Sequence, residues 1–197
     1  GLGGSATCSM CHGGRASGDA VIAATGALDP DAVSADLSFI NIHYGVAAAV
    51  MHGADVRAGF HYDGERYAGR FRHVPSVGTC IACHEPHTTE VATEGCLACH
   101  QGVDDVTAIR TRHTDFDGDG ATDGGIKTEI DGLHGMLYAA IQTYAAEVAG
   151  TPIGYAGRYP YFFTDGDGDG AVSGDEASFP NRYAAWTPRL LKAAYNY

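Results

Sequence analysis

The spacing of hydrophobic and polar residues predicts a few helices and leaves most of the chain irregular. The clearest helix is predicted over residues 130–148, where hydrophobic residues recur at helical spacing and Gly150 follows as a terminator. Its hydrophobic stripe consists of Ile130, Leu133, Leu137, Ile141, Tyr144 and Val148. A second helix is predicted over residues 38–51, with Ser38 as its N-cap and His43 on its apolar face.

The remaining pattern predicts one hairpin and one short final helix. Asp63-Gly64 lies between aromatic residues in the segment 60–71, and Asp-Gly is a strong two-residue hairpin turn. Residues 151–163 are aromatic and interrupted by prolines, so we expect them to be irregular. A Thr-Pro pair predicts a helix over residues 187–194. The predicted fold class is therefore mostly irregular, with several α-helices and a short β-hairpin.

Composition and net charge limit the classes of partner that the chain is expected to bind. The 28 glycines among 197 residues suit a loop-rich chain whose backbone approaches a large group closely. The formal net charge of −12 argues against nucleic acid and anionic membrane surfaces, although solubility alone also explains it. No apolar run approaches the roughly 20 residues of a membrane span.

All six cysteines fall in three copies of one motif, Cys-x-x-Cys-His. This run is the attachment signature of c-type haem, in which both thiols bond to the haem vinyl groups and the histidine becomes the proximal iron ligand. Two intervening residues let both sulfurs reach one edge of the porphyrin. The predicted attachment residues are Cys8, Cys11, Cys80, Cys83, Cys96 and Cys99, and the predicted proximal ligands are His12, His84 and His100.

Two other uses of the cysteines stay open at this point. The last four have the spacing of a Cys₄ zinc ribbon, and six cysteines could form three disulfides. Neither alternative requires a histidine after the second cysteine, and zinc would leave Cys8 and Cys11 without partners. A visible spectrum without a Soret band would end the haem hypothesis.

Three further histidines are the candidate distal iron ligands. His43 lies within an apolar stripe, His73 lies seven residues before the second motif, and His87 follows His84 closely enough to cap an adjacent haem. His134, beside the stripe of the predicted long helix, is a reserve candidate. Two imidazoles on each iron leave no open position, which favours electron transfer over substrate binding.

With these motifs and its surplus of histidines, the first half of the chain resembles the multihaem c-type cytochromes. The resemblance implies a haem-organised fold with three haem c groups, bis-histidine iron, closely packed haems and electron transfer. Some members of this group form extracellular conducting filaments, and others are shuttles or enzymes. We expect a subunit of an extracellular filament, with a monomeric periplasmic or extracellular shuttle and, less favoured, a multihaem reductase as alternatives.

The resemblance also implies where the chain acts and with what. Prokaryotes attach haem c outside the cytoplasmic membrane, so we expect an exported protein. The expected partners are identical subunits of a polymer or other redox proteins, with terminal acceptors outside the cell. No Cys-x-x-Cys-Lys motif is present, so we expect an electron carrier and not a catalyst.

The second half of the chain predicts calcium sites. Residues 165–176 match all positions of an EF-hand-type loop, with acidic residues at positions 1, 3 and 5, a glycine at position 6 and a glutamate at position 12. The predicted ligands are Asp165, Asp167, Asp169, Ala171 through its carbonyl, Ser173 and Glu176. An acidic glycine-rich turn without an ion is the alternative, but its carboxylates would repel one another.

A second loop at residues 115–123 is a weaker match. Its predicted ligands are Asp115, Asp117, Asp119, Ala121, Asp123 and Glu129. Ile126 occupies the closing position, so Glu129 is included on the expectation that the turn is rearranged. The flanks lack long helices on both sides, so the loops resemble dockerin-like or thrombospondin-like sites and not paired EF-hand domains. We expect a trihaem region over residues 1–110 and a helical calcium-binding region over 111–197, packed as one compact unit.

Overall fold

The computed structural model describes residues 3–70 and 73–197, which form two compact units. The described part of the first unit comprises residues 3–13 and 73–136, and the second comprises residues 14–70 and 137–197. Each unit therefore joins two separate segments of the chain. The predicted boundary after residue 110 lies within the first unit.

The described residues contain six α-helices and one pair of strands, with irregular chain and short 3-10 turns between them. The helices are α1 Ala6–His12, α2 Gly18–Thr25, α3 Ala47–His52, α4 Glu94–Leu97, α5 Ile126–Glu147 and α6 Pro188–Asn196. The strands are β1 Ile153–Tyr155 and β2 Phe162–Thr164. The mostly irregular fold class predicted from the sequence is confirmed. None of the described helices is both long and apolar enough to cross a bilayer.

The first unit has an unusual interior. Among its described residues, those that are buried are Ser5, Gly125 and Glu129, and no hydrophobic side chain is buried. Its N-terminal segment is fixed by a polar contact, because the hydroxyl of Ser5 accepts a hydrogen bond from the N–H of Cys80 at 2.9 Å. Hydrophobic burial among side chains, the usual main source of folding free energy, is therefore small in this unit.

The second unit contains the hydrophobic core. Strands β1 and β2 pair antiparallel, with Gly154 opposite Phe163. Their inward side chains pack with helices α2 and α6 and with the second half of α5. The most completely buried large side chains are Trp186, Phe162, Phe163, Ile141, Ile153, Leu190 and Leu191.

Helix α5 confirms the helix predicted over residues 130–148, although it begins earlier, at Ile126. Residues through Met136 belong to the first unit and those from Leu137 to the second. The hydrophobic stripe divides in the same way: Ile141 is 1% exposed, whereas Ile130 is 57% exposed. The stripe therefore joins a hydrophobic core only in its second half.

Helix α6 confirms the predicted final helix. The hydroxyl of Thr187 accepts a hydrogen bond from the N–H of Leu190 at 3.1 Å, and Pro188 occupies the first helical position. The helix continues to Asn196, two residues beyond the predicted end. Leu190 and Leu191 then lie within the core.

The predicted helix over residues 38–51 is wrong in its first part. Only Ala47–His52 are helical, and His43 has a positive φ of 97°, which ends any helix at that residue. Upstream of it, the ring of Phe39 packs edge-on against Phe162 at 4.8 Å between centroids. Packing of this segment against the core outweighs its helical periodicity.

The predicted hairpin at residues 60–71 is wrong for the described residues 60–70, which contain no strand. The Asp-Gly turn does form, because the N–H of Glu65 donates to the carbonyl of Tyr62 at 3.3 Å. Beyond the turn, the ring of His61 stacks on Tyr67 at 4.1 Å, and a backbone ladder is missing. The hairpin lies instead at β1 and β2, in the segment predicted to be irregular.

We expect Leu191→Ala to destabilise the second unit by about 2–5 kcal/mol, because it leaves a cavity where Leu191 is completely buried. Urea unfolding followed by Trp186 fluorescence measures this loss, since Trp186 belongs to the same core. Ile22→Ala is the matched control, because Ile22 is 44% exposed. Equal destabilisation by both substitutions would contradict this description of the core.

Candidate haem and calcium sites

The three Cys-x-x-Cys-His motifs share one local geometry. In the second motif the N–H of His84 donates to the carbonyl of Cys80 at 2.8 Å, and in the third His100 bonds in the same way to Cys96 at 2.9 Å. The first motif lies entirely within α1, which ends at His12. A single helical turn therefore brings each histidine close to both thiols of its motif.

The thiols themselves are unpaired. All six cysteines are free and each is at least partly exposed. Within residues 3–70 and 73–197, no three Cys or His side chains converge closely enough to hold a metal ion. Each thiol can therefore be reached by a large group, as covalent haem attachment requires.

The ring of His84 is already oriented for a metal. Its Nδ1 lies 2.8 Å from the carbonyl oxygen of Thr89. Because a carbonyl oxygen can only accept, this bond requires the proton on Nδ1 and leaves the Nε2 lone pair for iron. Metal-binding histidines commonly have such a second partner, which fixes the ring and raises its basicity.

Two of the predicted distal ligands lie near proximal ones in the first unit. The ring of His73 lies 5.8 Å from that of His100 between centroids, tilted by 45°. His87 lies at the exposed tip of the loop that follows His84, with its N–H bonded to the carboxylate of Glu85 at 2.7 Å. The structure thus brings His73 to the third motif and keeps His87 next to the second.

The other two candidates have different surroundings. His43 lies in the second unit, half-buried, beside a cavity of about 210 Å³ that is lined mainly by aromatic side chains. Its ring contacts Tyr44 at 4.1 Å between centroids. His134 is exposed on the first half of α5.

A haem group fits the first unit on the chemistry of its residues. The unit supplies free thiols, turn-held histidines and an oriented imidazole, and its described residues have no hydrophobic core of their own. Haem is a large apolar group, so its burial would supply the missing hydrophobic interior. Each haem would be held by the two cysteines of one motif and by the histidine that follows them.

The 165–176 loop brings three of its six predicted ligands together. Carboxylate oxygens of Asp165, Asp167 and Asp169 lie within 4.8 Å of one another. The two carboxylate oxygens of Asp165 accept hydrogen bonds from the N–H groups of Gly168 at 2.8 Å and Gly170 at 2.9 Å. These bonds hold the loop in a turn whose acidic groups face a common point, as a calcium loop requires.

The closing glutamate of this loop lies outside that carboxylate cluster and is bonded to the loop backbone. Glu176 accepts a hydrogen bond from the N–H of Gly166, at loop position 2, over 2.7 Å. On the other side of the loop, Gln142 of α5 donates to the carbonyl of Gly170 at 2.7 Å. The loop is therefore attached to α5 through the side chain of Gln142, in a contact that uses none of the loop carboxylates.

The 115–123 loop repeats the same pattern with a different closing residue. Asp115 accepts from the N–H groups of Gly118 and Gly120, as Asp165 does in the other loop. Glu129, from the first turn of α5, accepts from the N–H of Phe116 at 2.6 Å, which is again loop position 2. Glu129 therefore makes the contact that Glu176 makes, although it lies three residues beyond the usual closing position.

A buried arginine, which the sequence pattern did not identify, holds Glu129 in place. Arg110 forms an ion pair with Glu129 at 2.8 Å, and the side chains are 4% and 3% exposed. The same guanidinium donates to the carbonyls of Arg112 and Thr114. No spacing rule links an arginine to a loop five residues later, so only the folded chain identifies it.

Within each loop, neighbouring carboxylates shift one another's pKa values. The hydrogen bond from the N–H of Asp169 lowers the pKa of Asp167. Desolvation and the neighbouring carboxylates, including Glu176, raise this pKa by more, so the net shift is upward. The pKa of Asp117 is raised in the same way, against the lowering effect of the Asp119 N–H. The pKa of Glu129 is lowered by the N–H of Phe116 and by Arg110.

Comparison with known proteins shows similarity to polyheme cytochromes. Over 93% of its length the chain is 26% identical to the C-type polyheme cytochrome OmcC of Geobacter sulfurreducens. Over 94% of its length it is 27% identical to the C-type polyheme cytochrome OmcB of the same species. No protein-family model matches the chain, and no solved structure matches it.

This similarity, together with the three attachment motifs, supports a multihaem c-type cytochrome that contains haem c. The chain spans 24% and 25% of the length of OmcC and OmcB, respectively. The comparison therefore concerns one quarter of these longer proteins.

Proposed function

We propose that this chain transfers electrons through three covalently attached c-type haems. The observation that carries the proposal is the set of three Cys-x-x-Cys-His motifs, in each of which a helical turn presents the histidine. Haem iron, when bound, supplies a one-electron couple between the ferric and ferrous states. The chain contributes the attachment thiols, the axial imidazoles and the surroundings that set the reduction potential.

The proposed axial ligands are His12, His84 and His100 on the proximal side and His43, His73 and His87 on the distal side, with His134 in reserve. The short distance between His73 and His100 supports these two as the pair on one iron. Two imidazoles on each iron favour low-spin haem with a lower potential than His/Met ligation.

Haem content and ligation test this proposal together. A pyridine haemochrome assay should give three haems per chain, matching the three motifs. The reduced protein should bind little carbon monoxide, and a redox titration should be reversible. Fewer than three haems, or ready carbon monoxide binding at all irons, would contradict it. A high-spin resonance from a single haem would favour a multihaem reductase instead.

We propose in addition that calcium binds the 165–176 loop and the 115–123 loop. Converging carboxylates and the matching position-2 contacts of Glu176 and Glu129 support this. The 165–176 loop is expected to fill first, because its closing glutamate stands at the usual twelfth position whereas Glu129 lies three residues beyond that position in the other loop. Bound calcium would relieve the repulsion among carboxylates and make this loop-rich chain more rigid.

Arg110→Met is expected to weaken calcium binding at the 115–123 loop by about 10–100-fold, as loss of a partner that orients a metal ligand commonly does. Isothermal titration in an E176Q background, where the other loop is disabled, isolates this site. Arg112→Met is the control, because it removes an exposed cation from the same segment. Unchanged affinity in the Arg110 variant would show that Glu129 needs no orienting partner.

Assembly into an extracellular filament is the third part of the proposal. The first unit exposes large apolar side chains, among them Met10 at 85%, Ile130 at 57% and Met136 at 58%. Such side chains are suited to contact haem or a neighbouring copy of the chain, and contact between copies would bring haems of successive subunits close together. Acceptors outside the cell and other redox proteins would be the partners at the ends of such a polymer.

Electron microscopy of native protein distinguishes a filament from a shuttle. Ordered polymers are expected if the chain, or the longer protein to which it belongs, is a filament subunit. Dispersed particles would favour a monomeric periplasmic or extracellular shuttle, with the same three haems. Immunogold labelling of intact cells tests the proposed export, since an extracellular protein is labelled without permeabilisation.

A further inference from the structure

The loop after the second motif is closed by its own backbone. His84 and Val91 form an antiparallel bridge, and the N–H of Ala92 donates to the carbonyl of Cys83 at 3.1 Å. Within this bridge the N–H of Glu85 donates to the carbonyl of Glu90 at 2.8 Å. The segment 84–92 is thus a small closed loop whose base is the attachment motif itself.

The carboxylate of Glu85 organises the tip of this loop. One of its oxygens accepts hydrogen bonds from the N–H groups of His87 and Thr88, each at 2.7 Å. Bonds from N–H groups to an ionised carboxylate are among the stronger hydrogen bonds in proteins. Without this acceptor both N–H groups at the tip would lose their protein partner.

The same residue fixes the group that holds the proximal histidine. The N–H of Thr89 donates to the carbonyl of Glu85 at 2.8 Å, and Thr89 has a positive φ of 64°, which a β-branched residue rarely adopts. In this conformation the carbonyl of Thr89 accepts from Nδ1 of His84 at 2.8 Å. The orientation of the imidazole therefore depends on a strained residue that the loop must keep in place.

We propose that Glu85 is a positioning residue for the iron ligand His84, acting through the carbonyl of Thr89. Its carboxylate keeps the loop closed, the closed loop holds Thr89 at positive φ, and the Thr89 carbonyl fixes the tautomer and basicity of His84. A more basic imidazole stabilises ferric iron, so this contact lowers the reduction potential of one haem. The inference rests on the proposed haem attachment at the second motif.

The test compares wild-type holoprotein with three variants, E85A, E85Q and E90Q. In E85A the haem at the second motif is expected to move to higher potential, and its low-spin ferric resonance is expected to shift or broaden. The haem that His87 is proposed to cap can respond as well, because Glu85 also holds the N–H of His87, whereas the third haem stays unchanged. E85Q keeps an oxygen acceptor for both N–H groups and should remain close to wild type. E90Q removes an equal charge from the same loop, and its potentials and resonances should also stay close to those of the wild type.

The outcomes separate this inference from the proposed function. Fewer than three haems in the wild type would overturn both. Three haems with identical potentials and resonances in wild type and E85A would overturn only the role of Glu85. An equal shift in E85Q and E85A would also overturn it, because charge and not positioning would then be responsible. If E85A fails to attach one haem, retention of three haems at wild-type potentials in E85Q supports positioning, and loss or a shift there overturns it.

Discussion

Replacing His73 by alanine is expected to open one haem iron while the protein keeps all of its attached haems. The ring of His73 lies 5.8 Å from that of His100, the proposed proximal ligand of the third motif. Removal of the imidazole leaves a coordination position that water or carbon monoxide can enter. We expect carbon monoxide binding to rise from near zero to one equivalent per chain, with a new high-spin ferric resonance. Optical titration of the reduced protein measures carbon monoxide binding, and electron paramagnetic resonance of the oxidised protein detects the high-spin iron.

The control for this substitution is His113→Ala. His113 lies in the same unit, is exposed and has a ring nitrogen 3.3 Å from the carbonyl of Thr122, yet it is not a proposed ligand. The His113→Ala substitution should leave all haems low-spin. Similar carbon monoxide binding by both variants would show that His73 has no special place at the iron. No change in the His73 variant would assign the distal position to another residue, with His134 the next to test.

Replacing Glu176 by glutamine is expected to abolish tight calcium binding at the 165–176 loop. The amide keeps the shape of the side chain and can still accept from the N–H of Gly166, but it lacks the charge and the bidentate grip of a closing glutamate. A ligand present at 100 times its Kd stabilises the state that binds it by about 2.7 kcal/mol. We therefore expect the variant to lose about this much calcium-dependent stability.

Thermal unfolding with calcium and with a chelator measures the difference. Asp175→Asn is the matched control, because Asp175 is exposed within the same loop and is not a proposed ligand. It should keep the calcium-dependent stabilisation of the wild type. Chelator-resistant unfolding of the wild type would count against calcium at this loop, and so would an equal loss in the two variants.

Local sequence signals predicted the elements that depend on local contacts. Helix α6 follows from a Thr-Pro pair, and helix α5 from a stripe of hydrophobic residues ending before Gly150. The N-terminal part of the helix expected at residues 38–51 did not form, because Phe39 packs against the core of the second unit. Strands β1 and β2 have only three residues each, so burial of Ile153 and Phe162 defines them better than any periodicity.

The site residues also fall into two groups, those that local sequence predicts and those that depend on contacts distant in the chain. The attachment motifs are contiguous, and a single turn explains their geometry. Glu129 was included because the acidic residue at position 126 is missing, and the structure does place its carboxylate against the loop backbone. No sequence motif identifies Arg110, Glu85 or the Thr89 carbonyl, because their roles depend on how the folded chain returns to the site.

The lack of a buried hydrophobic side chain among the described residues of the first unit has a consequence for biogenesis. A nascent polypeptide of this composition gains little by collapsing before its prosthetic groups arrive, so its thiols stay reachable for the ligation machinery. The second unit needs no such delay, because Trp186 and Leu191 already give it an apolar interior. Maturation would then proceed in two stages, with a preassembled scaffold followed by cofactor-driven ordering of the remainder.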